Sequence, residues 1–215
     1  PEARFAIERC GLTASDRVLD LCCGNGRHMV HLLSTTSHVI GLDFSAHLLD
    51  RARTVIGPHG ALVRADMRAI PFEGCFDLVT NFFTSFGYFS FTDENAAVVD
   101  GIARALKPGG RFFLDYINRN WAEQTLDPES ERTQGPYRIH ERRWIAEERV
   151  NKSTRVYEGD RLVQELSESV RLYSLGEFHA LLGESGLRVE AVYGDYTGVP
   201  MDAFKPRMIA VGRKD

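Results

Sequence analysis

Short apolar runs alternate with amphipathic stretches over the first 116 positions. Val18–Leu21, His38–Leu42, Ala61–Arg64, Phe76–Thr80 and Arg111–Tyr116 each read as a strand. The intervening spans read as helices. Gly26–Leu33 carries Met29, Val30, Leu32 and Leu33. A second helix, capped by Ser45, places Leu48, Leu49, Ala52, Val55 and Ile56 on one face and stops at Gly57-Pro58. A third, capped by Thr92 or Asp93, carries Ala96, Val99, Ile102, Ala103 and Leu106 and ends at Lys107-Pro-Gly-Gly110. This repeated alternation predicts an α/β fold: a parallel sheet with helices on both faces.

The pattern then changes. Tyr137–Ile145, Glu148–Glu158 and Arg161–Tyr173 are long, polar and partly alternating, with turn signals at Asn151-Lys-Ser and Glu158-Gly-Asp160. They predict an inserted antiparallel sheet over residues 134–166, one face covering something and the other in water. Ala122–Gly135 reads as a mobile connector. The α/β pattern resumes with a capping box at Ser174-x-x-Glu177 and a helix closed by Gly186. Leu187–Tyr193 and Met208–Gly212 follow as a strand pair at the sheet edge. Residues 1–133 and 167–215 thus form one domain around the insertion.

The chain has 215 residues and a formal charge of −4, with no lysine- or arginine-rich run. That disfavours nucleic acid as a partner. No apolar stretch has the length of a membrane span, and no signal-peptide pattern opens the chain. Pro1 at its head reads as a segment whose native N-terminus lies upstream. Cys10, Cys22, Cys23 and Cys75 form no C-x-x-C pair and read as buried small hydrophobes in a reducing cytoplasm.

The candidate chemistry lies at the strand ends. Asp20-Leu-Cys-Cys-Gly-Asn-Gly26 follows an apolar strand and opens a helix. Gly24 and Gly26 let backbone N–H groups approach a ligand without a Cβ in the way. Asp43 ends the second strand, where a carboxylate can accept from two ribose hydroxyls. The alternative, a helix cap, is already filled by Ser45. Asp66-Met67 follows the third strand, either as an acid and thioether beside a purine or as a solvated loop. Asn81 ends the fourth, ahead of an aromatic run from Phe82 to Phe91 that either packs the core or walls a site from water. His28 and His31 have helical spacing but no third ligand, so no metal is expected.

Together these residues resemble the class I S-adenosylmethionine-dependent methyltransferases, small-molecule type. The motifs are Asp20–Gly26, Gly41-Leu-Asp43, Ala65-Asp-Met67, Phe76–Asn81 and Leu106-Lys-Pro-Gly-Gly110. Cys22 departs from them, standing where the commonest pattern has glycine. The resemblance implies a Rossmann-like, doubly wound, seven-stranded sheet with a reversed final strand. It also implies S-adenosylmethionine as cofactor, held by Asp20, Cys22, Gly24, Gly26, Asp43, Phe44, Asp66, Met67 and Asn81. The activated methyl makes the reaction an in-line displacement, and a general base is needed only for an acceptor that carries a proton.

Candidates for the acceptor side are Tyr88, Tyr116, His140, Arg142, Arg171 and Tyr173, with Tyr196 and Arg207 weaker. The expected acceptor is a small molecule, the insertion serving as a lid or a homodimer contact. Methylation of RNA or protein, or a non-catalytic S-adenosylmethionine-binding module, are the rivals. A nicotinamide dehydrogenase is disfavoured, because Arg27, His28 and Met29 follow Gly26 without a third glycine.

Overall fold

A computed structural model describes residues 1–215. A seven-stranded sheet is built from β1 (Val18–Leu21), β2 (Val39–Asp43), β3 (Ala61–Arg64), β4 (Phe76–Asn81), β5 (Leu106–Ile117), β10 (Leu187–Tyr193) and β11 (Arg207–Lys214). Their order is β10-β11-β5-β4-β1-β2-β3. The first five strands run parallel, and β11 lies antiparallel between β5 and β10. The reversed strand is therefore interior, with β10 at the edge.

Helices α1 (Glu2–Cys10), α2 (Met29–Leu33), α3 (Ala46–Ile56), α4 (Thr92–Ala105), α5 (Arg119–Thr125) and α6 (Leu175–Glu184) complete the main body. Two hydrophobic clusters fill it. One sets Phe76, Ile102, Phe112 and Phe178 under α4 and α6; the other sets Phe5, Met29, Leu32 and Phe113 under α1 and α2. Phe113 and Phe112 are neighbours on β5, so period-2 alternation sends one to each cluster. This is why β1, β4 and β5 are apolar on both faces.

Register aligns the strand ends. Leu21 stands opposite both Leu42 and Asn81, and Asp43 opposite Arg64. The loops that leave β1, β2, β3 and β4 therefore share one edge of the sheet. In open α/β sheets this carboxyl edge is where ligands sit.

Several elements differ from the sequence expectation. α2 starts at Met29 rather than Gly26, because Gly24 and Gly26 hold φ at +56° and +80° and delay the helix to a His28 N-cap. Phe91, rather than Thr92 or Asp93, holds the N-cap of α4. Ala122–Gly135 is not a connector. It contains the end of α5, capped by Asn118, and a strand, β6 (Glu129–Gln134). β6 shows no apolar alternation because it is held to its neighbour by backbone pairing while its side chains face water.

The antiparallel sheet has the order β6-β7-β8-β9, with β7 (Tyr137–Ala146), β8 (Arg149–Glu158) and β9 (Arg161–Arg171). It spans Glu129 to Arg171, wider at both ends than residues 134–166. The Gly159-Asp160 turn is present, whereas Asn151-Lys-Ser lies inside β8. The real turn is Glu147-Glu148, both residues left-handed at φ +52° and +55°. Such a turn normally takes Asn or Gly, so the glutamates hide it.

Candidate functional site

The turn after β1 departs from helical geometry at three places. Gly24 and Gly26 are left-handed, and so is Cys22 at φ +60°. A non-glycine residue there is strained by about 1–3 kcal/mol and persists only where the surroundings fix it. The Cys22 thiol lies 3.4 Å from the Met67 sulfur. Gly24 faces open space, so its backbone is accessible to a ligand. Gly26 is required for packing instead, since a Cβ would stand 3.3 Å from the Ala52 backbone.

Asp43 is the hub of this edge. Its Oδ2 accepts from the Gly24 N–H at 2.9 Å and its Oδ1 from the Ser45 N–H at 2.9 Å. Each oxygen has lone-pair capacity beyond that bond. Asp20 lies beneath the turn, buried. Its Oδ1 accepts from the Thr80 hydroxyl at 3.0 Å, while Oδ2 has no partner. Burial raises its pKa to about 7; the Thr80 hydrogen bond opposes that rise and the Asp43 charge adds to it.

A cavity of about 610 Å³ opens over this edge. Cys22, Gly24, Asp43, Phe44, Asp66 and Met67 all line it, together with Arg68 and Tyr88. Phe44 presents its ring there at 67% exposure. Asp66 caps the short 3-10 turn Met67–Ala69 and is ion-paired with Arg68 at 2.6 Å, so its carboxylate serves the loop as well as the cavity. Asn81 is buried and does not line the cavity. Its Nδ2 donates to the Leu21 carbonyl at 3.0 Å, tying β4 to β1.

The aromatic loop after β4 is clamped from below. Phe83 and Thr84 both take φ +57°. The buried Asp115 accepts from the Phe83 N–H at 2.9 Å, the Tyr196 hydroxyl at 2.6 Å and Arg207 Nε at 2.6 Å. Arg207 also reaches the Thr84 hydroxyl at 3.0 Å. Tyr196 and Arg207 therefore hold this loop. Phe82 and Phe86 pack the core, whereas Tyr88 stays half-exposed.

Tyr88 also lines a second cavity, of about 400 Å³, between the main body and the antiparallel sheet. Trp121 and Leu126 close one side. Arg143, Val150, Lys152, Glu168 and Val170, from β7, β8 and β9, close the other.

Of the acceptor-side candidates, only Tyr88 lies here. Tyr116 is in the core, its hydroxyl donating to the Arg171 carbonyl. Tyr173 is also buried, among Phe86, Tyr116 and Phe178. Arg171 is tied to Glu148 at 3.1 Å and Glu177 at 3.2 Å. Arg142 is exposed and pairs with Glu129 at 3.1 Å. His140 lines neither cavity. Adjacent strand residues point to opposite faces, and Arg143, not Arg142, has the inward one. His28 stacks on Phe82 with a ring separation of 4.2 Å, and burial lowers its pKa to about 4. No group of three histidine, cysteine or acidic residues could hold a metal.

Residues 18–110 match the family model described as a methyltransferase domain. An uncharacterized methyltransferase of Synechocystis is 37% identical over 127 residues, covering 56% of this chain and 58% of that relative. The chain thus spans little more than half of that protein. The dTDP-3-amino-3,4,6-trideoxy-alpha-D-glucopyranose N,N-dimethyltransferase of Streptomyces venezuelae is 28% identical over 197 residues, covering 84% of this chain and 79% of its own length. Among solved structures, an S-adenosylmethionine-dependent methyltransferase from Clostridium acetobutylicum superimposes with a TM-score of 0.86 at 20% identity. It covers 98% of this chain and 89% of that one. The amino pentose methyltransferase CalS10 of Micromonospora echinaspora, bound to S-adenosylmethionine, gives 0.75 at 23% identity, over 100% and 90%.

Proposed function

Because this chain belongs to the class I S-adenosylmethionine-dependent methyltransferases, we propose that it methylates a small molecule held in the second cavity. The observation that carries this reading is the shared wall. One cavity opens on the glycine turn and Asp43, the other lies under the antiparallel sheet, and Tyr88 borders both. S-adenosylmethionine is the cofactor of this family and supplies, when bound, an electrophilic methyl on a positively charged sulfur.

The residues of the first cavity suit it. Asp43 retains acceptor capacity on both oxygens for a pair of ribose hydroxyls. Met67 and Phe44 offer apolar surface to a purine, with Asp66 and Arg68 at its edge. The orphaned Asp20 Oδ2 beneath the turn suits a ligand with a cationic end. Asn81 contributes by holding the β1 and β4 ends together rather than by touching the cofactor.

The protein's remaining task is to align the acceptor and exclude water. The antiparallel sheet does both as the cover of the second cavity, so residues around 129–171 form the acceptor half of the site. A net charge of −4 and a cavity of about 400 Å³ favour a metabolite over RNA or protein. No helix is long and apolar enough to cross a membrane. Four free cysteines suit a cytoplasmic setting.

The test is calorimetric titration with S-adenosylmethionine, followed by incubation of the labelled cofactor with metabolite, RNA and protein fractions. Label should enter the metabolite fraction alone. Binding without transfer to any fraction would identify a non-catalytic module, and label in RNA or protein would move the acceptor to a macromolecule.

A further inference from the structure

Tyr88 is the one residue common to both cavities. Its ring is half-exposed and its hydroxyl has no protein partner, so the ring stands where the loop backbone puts it. That backbone is fixed from the antiparallel sheet, by Arg149 at the start of β8. Arg149 Nη1 donates to the Phe89 carbonyl at 3.0 Å. Its Nη2 donates to the Tyr88 carbonyl at 3.1 Å and, at a longer 3.4 Å, to the Gly87 carbonyl. The rest of the fork is tied to β9, with Nε on the Ser169 hydroxyl at 2.7 Å and Nη2 on the Ser169 carbonyl at 2.9 Å. Every acceptor is a carbonyl or a hydroxyl, and none is a carboxylate. Bonds from a charged donor are stronger than neutral ones, and the planar guanidinium fixes their directions.

The three loop carbonyls do not depend on Arg149 equally. That of Gly87 also accepts from the Arg171 N–H at 2.9 Å. Gly87 itself, at φ +89°, lies so close to β5 and β9 that a Cβ would stand 2.7 Å from the Tyr116 hydroxyl and 3.3 Å from Val170. The Phe89 carbonyl also accepts from Asn95 Nδ2 at 3.0 Å, and the Phe89 ring has the Arg68 guanidinium 4.5 Å from its centre. The Tyr88 carbonyl has Arg149 as its only protein donor. Loss of Arg149 therefore frees the middle residue and leaves both neighbours held.

Resting on the reading that the first cavity takes the cofactor, we infer that Arg149 is a positioning residue for Tyr88, through which the antiparallel sheet sets how firmly the cofactor is held. Arg149 lines neither cavity, so it acts on the wall between them rather than on a ligand. Val150 and Lys152, on the same strand, line the second cavity. One strand thus shapes the acceptor side and fixes the wall that faces the cofactor. With Arg149 in place, Tyr88 is ordered before the cofactor arrives. Without it, binding must supply that order and is weaker for it.

The experiment is a double-mutant cycle on the full chain, read as the calorimetric dissociation constant of S-adenosylhomocysteine. Arg149→Met keeps the apolar stem and removes the donors. It should raise the constant about fivefold, the cost of ordering one freed residue on binding. In a Tyr88→Ala background the same substitution should change the constant by less than about twofold, because the ring it positions is gone. Hydrogen exchange of the ligand-free Arg149→Met chain should quicken around residues 87–89 and stay unchanged in α4 and β4. If Arg149→Met does not fold, Arg149→Lys takes its place with the same expectations, since one ammonium cannot span the loop carbonyls and Ser169 together. An unchanged constant, or an equal loss with and without the Tyr88 ring, overturns the inference and leaves the cofactor reading of the first cavity intact. Exchange that quickens throughout the fold makes Arg149 a general structural tie and overturns it as well. Failure of the unaltered chain to bind S-adenosylhomocysteine overturns the cofactor reading itself and this inference with it.

Discussion

The two halves of the proposed site are made in different ways. The carboxyl edge of the parallel sheet holds its ligand surface with backbone. Gly24, Gly26 and Cys22 take left-handed torsions, and Asp43 ties the turn to the start of α3 by accepting from the Gly24 and Ser45 N–H groups. The antiparallel sheet presents side chains from a regular ladder, and the charges it turns to the cavity are set by which residues happen to stand opposite. A backbone-built site constrains residue type locally and suits a ligand that never changes. A side-chain-built site can be rewritten one residue at a time without disturbing the ladder. That division fits an invariant cofactor on one side and a variable acceptor on the other.

The largest expected effect breaks the backbone half. Gly26→Val adds strain at φ +80° and drives a side chain toward Ala52, whose Cα would stand 3.3 Å from the new Cβ. Urea denaturation should register a loss of roughly 2–5 kcal/mol. The counterpart is Gly135→Val, in the β6–β7 turn at φ +58° with open space around it. That variant should lose only about 1–2 kcal/mol, the torsional cost alone. Equal losses would mean that the glycine turn is no more constrained than a surface hairpin.

Next in size is Asp43→Asn. It removes the charge from a carboxylate bonded to two backbone N–H groups and expected to take two ribose hydroxyls. S-adenosylhomocysteine binding should weaken by about 1.5–3 kcal/mol, on the order of 10- to 100-fold. Calorimetry giving the same constant for both proteins would remove Asp43 from the ligand contact.

These two residues were legible in the sequence for a physical reason. A left-handed torsion favours glycine, and a strand-end acid beside Ser45 is not needed as a cap. The second half was legible as an antiparallel insertion with Tyr88 beside it, but not in which of its side chains line the cavity. Alternation along β7 separates Arg142 from Arg143 but does not say which face meets the main body; docking decides that. Register hid the rest. Asn151-Lys-Ser resembles a turn, yet the chain turns at Glu147-Glu148, and only that turn sets Arg143 opposite Lys152. Tyr116 and Tyr173 were misplaced because an aromatic with a hydroxyl looks alike in a core and at a site. The α5–β6 stretch was missed because its pairing is with the backbone of β7, which composition does not report.

The proton held by Asp20 sharpens the comparison further. Its folded-state pKa of about 7 lies above the ordinary 3.8, so between those values the native carboxyl keeps a proton that the unfolded chain releases. This group therefore costs stability as pH rises from about 4 to 7, and the effect levels off above. His28 acts in the opposite direction. With its pKa near 4 against an ordinary 6.5, it loses stability as pH falls through that window. A cationic ligand above Asp20 favours the ionised carboxylate, so S-adenosylmethionine should bind more tightly as pH rises through 7 and release up to one proton. Calorimetry in two buffers of different ionisation enthalpy measures that release. Asp20→Asn should abolish it while leaving the His28 effect on stability in place.

The smallest effect comes from the outer part of the antiparallel sheet. Arg155 and Glu165 stand opposite each other on β8 and β9 and pair at 2.7 Å, both about half-exposed. Solvent screens such a pair and side-chain entropy offsets much of its attraction, so a double-mutant cycle should give a coupling of about 0.2–1 kcal/mol. Added salt should reduce it. Neither single variant should alter cofactor binding or the acceptor KM, because the pair lines neither cavity. The pair Lys152 and Glu168 has the same β8–β9 ladder geometry and the same combination of charges, but it lines the second cavity. If Arg155→Ala shifted the acceptor KM as much as Lys152→Gln, the charges of this sheet would act as a diffuse field. A shift confined to the inner pair would make position on the ladder the source of acceptor choice.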